Sequence, residues 1–139
     1  MQLTPFEEEV LSSILWQLEG YRLGKVTERV TKRILRATLR RIKPKLVARS
    51  ASVVPSVAVE VGHAVPVNVI VQKIMDSNIM DERELMDVVG LLLVAVELTK
   101  DEHKVILKHH KLQSDMPAGW DGICPFARYK TAGIEVKML

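Results

Sequence analysis

Apolar residues recur every three or four positions over most of this chain, and that period predicts helices. Thr4-Pro5-Phe6-Glu7 opens the first, with a hydroxyl cap, a proline at the first helical position and a glutamate three residues after the cap. Val10, Leu11, Ile14, Leu15 and Leu18 continue it as one stripe ending near Gly20. Gly20 and Gly24 bracket a turn, so a second helix is expected to fold back on the first as a hairpin, with Trp16 and Tyr21 packed inside it. That second helix is expected to begin at Lys25 or Val26 and to reach the low forties or beyond. Val26, Val30, Ile34, Leu35, Leu39, Ile42 and Leu46 mark its apolar side. Pro44 is where it should kink or stop, because proline lacks the backbone donor.

Residues 50–66 are ambiguous. Val57, Val59 and Val61 alternate as in a short strand, while Pro55 and Pro66 punctuate the segment in a way two short helices also explain. Short helices are the expectation. Pro66 then opens a helix through Val69, Ile70, Ile74 and Met75 to about Asp76, and Asp81-Glu82-Arg83-Glu84 caps another. Beyond it Leu85, Val89, Leu92, Val96, Thr99, His103, Ile106 and His110 fall at alternating steps of four and three, the spacing of a coiled-coil seam. Val88 to Leu98 is apolar nearly all round, which places it at the centre of a core or of an oligomer. Thr99-Lys100-Asp101-Glu102 is a further capping box, so residues 81–112 form either one helix or two.

After Ser114 the helical period ends. The remaining segment is expected to be an irregular arm, anchored by Trp120, Phe126 and Tyr129 on its own core or on a neighbouring subunit, and closing in a short strand at Ile134–Met138. The expected architecture is therefore all-α, or mostly α: a helical domain over 1–113, with an N-terminal hairpin and apolar central helices, and a C-terminal arm over 114–139. A chain of 139 residues suits one domain, and a hydrophobic content of 47% suits a folded core rather than disorder. Aromatics supply only 4%, so aliphatic side chains must fill that core.

Charge changes the picture more than composition does. Arg22 to Arg49 holds eleven Arg or Lys side chains against one acid, Glu28, for a net charge of +10, while the rest of the chain carries −7. Lys25, Arg29, Arg33, Arg36, Arg40 and Lys43 recur at helical spacing, with Arg41 beside them, and so form a cationic ridge over residues 25–49. Such a ridge either pairs with acidic helices, within the chain or between copies, or meets an acidic partner. The ridge holds no Asn or Gln to discriminate base edges and no interleaved aromatics to stack bases, so on nucleic acid it would grip phosphates with little sequence preference.

Other chemistry is sparse. His103 and His110 are seven residues apart, about 10.5 Å along a helix, too far to share one metal ion. Histidines in a packed seam would instead make it pH-sensitive. Cys124 cannot form an intramolecular disulfide and has no histidine placed beside it by sequence, so a buried apolar filler is expected. Glu7, Glu8 and Glu9, like Asp81, Glu82 and Glu84, sit in first helical turns, where they complement the helix dipole. No phosphate-binding glycine loop, GxSxG, CxxC or HExxH is present. The N-terminus lacks the pattern of a secretory signal, and the longest apolar run, Val88 to Val96, is too short to span a bilayer.

The expectation is a non-catalytic assembly, adaptor or inhibitor-type protein, of the kind found among virion factors. It is expected in the cytoplasm or elsewhere inside cells, virions included, acting through homo-oligomer contacts and its basic face. It would need no metal, cofactor, membrane span or small-molecule substrate. The alternative is a nucleic-acid-binding protein of low base specificity that uses the ridge.

Overall fold

The computed structural model describes residues 2–139. Helix α1 (Pro5–Arg22) starts as expected: Thr4 Oγ1 accepts from the Glu7 amide and the Glu7 carboxylate accepts from the Thr4 amide, both at 3.1 Å. Helix α2 (Glu28–Leu39) packs on α1 but is shorter than its sequence period suggested. Its cap is Thr27, whose Oγ1 accepts from the Val30 amide, and it ends five residues before Pro44. The apolar period through Leu46 runs on past the point where the backbone changes to extended.

Beyond Pro44 the chain departs from the all-α expectation and forms a sheet. Residues after Pro44 make strand β1 (Lys45–Ser50), and residues 50–66 yield strand β2 (Val59–His63) rather than two short helices. Helix α3 (Val67–Asp76) opens after Pro66, and helix α4 (Glu82–Leu92) is capped by Asp81, as expected. The supposed seam then breaks at Leu93. Val94–Thr99 is strand β3, buried along almost its whole length. An unbroken run of β-branched and aliphatic residues serves a central strand covered on both faces as well as it serves a core helix, and here the strand wins. Leu85, Val89 and Leu92 consequently sit in the core on α4, Val96 lies in β3, and His103 and Ile106 belong to a separate helical segment. That segment has a π-helical turn at Glu102–Ile106 and ends in α5 (Leu107–His109).

The arm is more ordered than expected, with helix α6 (Ala127–Thr131) and strand β4 (Val136–Met138), the latter inside the segment expected to be extended. The four strands lie in the order β2-β3-β1-β4. β1 and β3 are parallel, while β2 pairs antiparallel with β3 and β4 antiparallel with β1. The fold is thus a mixed four-stranded sheet alongside six helices among the described residues.

Two clusters hold it together. In the first, Leu11, Ile14 and Leu18 of α1 pack with Leu35 and Leu39 of α2, Ile70 and Ile74 of α3, and Leu85 and Val89 of α4. In the second, Val94, Val96 and Leu98 present alternate positions of β3 to Leu107, Leu112, Tyr129 and Ile134. The capping box at Thr99 forms as expected: Thr99 Oγ1 accepts from the Glu102 amide at 3.1 Å, and Glu102 Oε1 accepts from the Thr99 amide at 2.9 Å. The second oxygen of the buried Glu102 accepts from Ser50 Oγ at 2.7 Å, which ties the end of β1 to that box.

Candidate functional site

Thr31, Leu35 and Leu39 are the buried face of α2. Val30, expected on that face, is 46% exposed, and Thr31 takes its place by donating its hydroxyl to the Thr27 carbonyl at 2.8 Å. Because four residues make slightly more than a turn, Arg29, Arg33 and Arg36, with Arg40 at the C-cap, fall on the side away from Leu35. Arg29, Arg33 and Arg40 are exposed and Arg36 is half-buried. Lys25 lies before the helix, and Arg41 and Lys43 lie in the turn that leads to β1; all three are exposed. The ridge is therefore a helix about 18 Å long with its two flanking turns, not one rod over 25–49.

Its charge is not neutralised by the chain. Among the described residues only two cations of the Arg22–Arg49 segment meet a carboxylate: Lys32 on Glu28 at 3.0 Å and Arg49 on Glu97 at 2.9 Å. The Arg41 guanidinium lies 5.9 Å from the centre of the Phe6 ring. Lys25, Arg29, Arg33, Arg36, Arg40, Arg41 and Lys43 all lack an ion-pair partner among the described residues.

One side of the ridge descends into a groove of about 550 Å³ between α2, α3 and the arm. Lys32 and Arg36 enter it from α2, Lys73, Asn68 and Gln72 from α3, and Trp120 from the arm; the carboxylates of Asp76 and Asp115 line it too. The indole and both amide groups of this lining are already tied within the chain. Trp120 Nε1 donates to the Cys124 carbonyl at 2.8 Å, Asn68 Nδ2 to the Ser114 carbonyl at 3.1 Å, and Gln72 Nε2 to Asp76 Oδ1 at 2.8 Å. Asp121 Oδ1 accepts from the amides of Ile123 and Cys124, at 2.8 and 2.9 Å, and folds the loop beneath the indole. Those bonds, Cys124 first and then Ile123, hold the Asp121 carboxyl below its ordinary range. Gly122 in this loop has φ +78°, and a β-carbon there would lie 2.9 Å from Lys73 Nζ.

The sequence pointed to the cations but not to this groove. Trp120, Asn68 and Gln72 stand far from residues 32 and 36 in the chain, and only the packing of α3 on α2 and the docking of the arm bring them together. The other two arm aromatics go elsewhere: Tyr129 is fully buried in the sheet cluster, and Phe126 packs against that cluster.

The remaining candidates behave differently from expectation. His103 is not on a seam; its Nδ1 lies 2.6 Å from Glu60 Oε2, so the pH-sensitive seam loses its basis. His109 and His110 meet edge to face, with ring centres 5.4 Å apart. Among the described residues no three His, Cys, Asp or Glu side chains converge as a metal site. Cys124 is half-buried rather than enclosed, with Lys130 Nζ 3.8 Å from its sulfur. Trp16 does not pack inside the hairpin but is 74% exposed. It sits two residues from both Ile14 and Leu18, on the opposite side of α1. With Leu15, Leu23 and Met80 it lines a depression of about 560 Å³ that Ser12, Glu19 and Arg22 also border.

No known protein family, curated protein or solved structure matches this chain. No helix among the described residues is long and apolar enough to cross a membrane.

Proposed function

We propose that this chain is a non-catalytic binding protein that docks on the phosphate backbone of nucleic acid through the α2 ridge. The observation that carries this reading is the set of seven unpaired cations, from Lys25 to Lys43, held on one stiff element and its flanking turns. Leaving so many like charges together costs self-repulsion, which a polyanion relieves by pairing with them as its own condensed counterions are released. Arginine predominates, and its planar fork grips phosphate oxygens in pairs. An intracellular setting goes with such a partner. Fluorescence anisotropy with a duplex at two salt concentrations tests the reading. Binding that weakens steeply with salt and disappears in an Arg29/Arg33/Arg40→Glu variant supports it, and no binding at low salt removes it.

The exposed patch of Trp16, Leu23 and Met80 favours a second reading, in which the protein is an assembly or adaptor factor that meets a protein partner or its own copy there. Light scattering of wild type and a Trp16→Glu/Met80→Glu variant tests its self-associating form: a wild-type oligomer that the substitutions reduce to monomer supports it, and a wild-type monomer removes it.

A further inference from the structure

We propose that the groove between α2, α3 and the arm seats one unpaired guanine nucleotide, its phosphate against Lys32, Arg36 and Lys73 and its base against Trp120. The inference rests on the ridge reading only for how a strand reaches the groove; the groove is built independently of it. Its volume of about 550 Å³ falls in the range of roughly 300–1,000 Å³ typical of small-molecule sites. Three cations from two helices line it, Lys32 shared with Glu28 at 3.0 Å and Arg36 and Lys73 without an ion-pair partner among the described residues, and a half-buried tryptophan forms part of its wall. Because the indole N–H is spent on the Cys124 carbonyl, the ring system is the surface Trp120 offers, the surface on which bases stack.

The polar groups decide between bases. One N–H of each amide is engaged, by the Ser114 carbonyl and by Asp76 Oδ1, so Asn68 and Gln72 each keep a carbonyl oxygen and a second N–H to offer. Asp76 and Asp115 add further acceptors. Two carboxylates standing beside two amide carbonyls suit a base edge rich in donors. Guanine presents N1–H and its 2-amino group side by side, whereas adenine presents an acceptor at N1 next to its amino group. The two carboxylates, which would be out of place in a site for phosphate alone, fit that edge.

The test uses the full chain in a Trp16→Phe background, so that Trp120 is the sole tryptophan. Its fluorescence is titrated with guanosine and adenosine 5′-monophosphates, and with 12-mers of thymidine carrying one central guanine or adenine, single-stranded and as duplexes. Expected is quenching by the guanine mononucleotide at a concentration at least tenfold lower than for adenine. The guanine-bearing single strand should follow the same order. Read by the anisotropy of labelled oligonucleotides, since these variants hold no tryptophan, Trp120→Leu should weaken single-strand binding about 5- to 150-fold and leave duplex binding unchanged, while Trp120→Phe retains most of the affinity. Retention in the phenylalanine variant excludes loss of folding as the cause.

Quenching by the mononucleotide without duplex binding leaves the groove standing as a site for a free nucleotide and removes the ridge reading. Duplex binding with no quenching by any nucleotide or single strand overturns the groove and spares the ridge. Absence of both overturns both, and equal responses to guanine and adenine overturn the guanine assignment.

Discussion

Arg128 Nε donates to the carbonyl oxygen of Ala64 at 3.0 Å from a side chain that is almost wholly buried. The same guanidinium donates to the carbonyls of Leu112 and Gln113, at 2.9 and 3.2 Å, and to that of His63. Among the described residues no carboxylate stands within ion-pair distance. One side chain of the arm thus collects carbonyls at the end of β2 and at the end of the helical segment after β3, and its charge is held by those dipoles and by the Tyr129 ring, whose centre lies 5.3 Å from the guanidinium carbon. Replacing it with methionine keeps most of the volume but strands those carbonyls away from water. Arg128→Met is expected to cost roughly 3 kcal/mol or more in urea denaturation, since each charge-assisted bond contributes on the order of 1.5–3 kcal/mol. A loss under about 1 kcal/mol would mean that water reaches the carbonyls.

His63 ends β2 beside this cluster, and its Nε2 is buried without a partner among the described residues. Burial, then the charges of Arg128 and Arg40, push its pKa below the ordinary value of 6.5. The neutral ring is therefore the form that folding favours. Below pH 6.5 the unfolded chain binds a proton that the native chain resists, so stability is full above that pH and declines as the pH falls toward the native value. The urea midpoint should drop between pH 7 and pH 5, and a His63→Gln variant should flatten that part of the profile. An identical slope in the variant would assign the loss to other groups.

Much of this fold is legible where a hydrogen bond closes locally. The Thr4, Asp81 and Thr99 caps each join a side chain to an amide three residues on, and each starts a helix where the letters say it should. The sheet was hidden because its partners are distant. β1 meets β3 with Lys45 opposite Val94, and nothing near Lys45 announces Val94. Leu46 and Val96 also happen to continue helical stripes begun at Val26 and Leu85, so period alone carried both helices too far. The candidate site divides the same way. Six cations at helical spacing, with Arg41 beside them, need no tertiary knowledge, whereas Trp120, Asn68 and Gln72 become neighbours of Arg36 only when three separate segments have packed.

The ridge makes a quantitative demand on salt dependence. Each phosphate contact contributes about 0.9 to the slope of log affinity against log salt on duplex DNA. Arg33 faces solvent and has no ion-pair partner among the described residues, so Arg33→Ala is expected to lower that slope by about one and to weaken all duplex sequences alike. Arg49 is held by Glu97 at 2.9 Å, so Arg49→Ala should change the slope less. If the two substitutions prove equivalent, the ion pair does not withhold Arg49 from the partner, and the contact surface extends from α2 onto β1.

Gly122 sets the arm's approach to the groove. Its φ of +78° lies in the left-handed region, where a β-carbon costs roughly 1–2 kcal/mol. That β-carbon would also come within 2.9 Å of Lys73 Nζ, the far end of a flexible side chain that can swing away. Gly122→Ala is therefore expected to lower stability by roughly 1–2 kcal/mol, almost all of it from the backbone, and to displace the lysine from the groove wall. Lys73→Ala separates the contributions, since it removes the clash and keeps the dihedral cost. In the double variant Gly122→Ala/Lys73→Ala the stability loss attributable to alanine at 122 should be nearly unchanged. A double variant that recovers the stability would show that steric contact with the lysine, and not the left-handed backbone, requires glycine at this position.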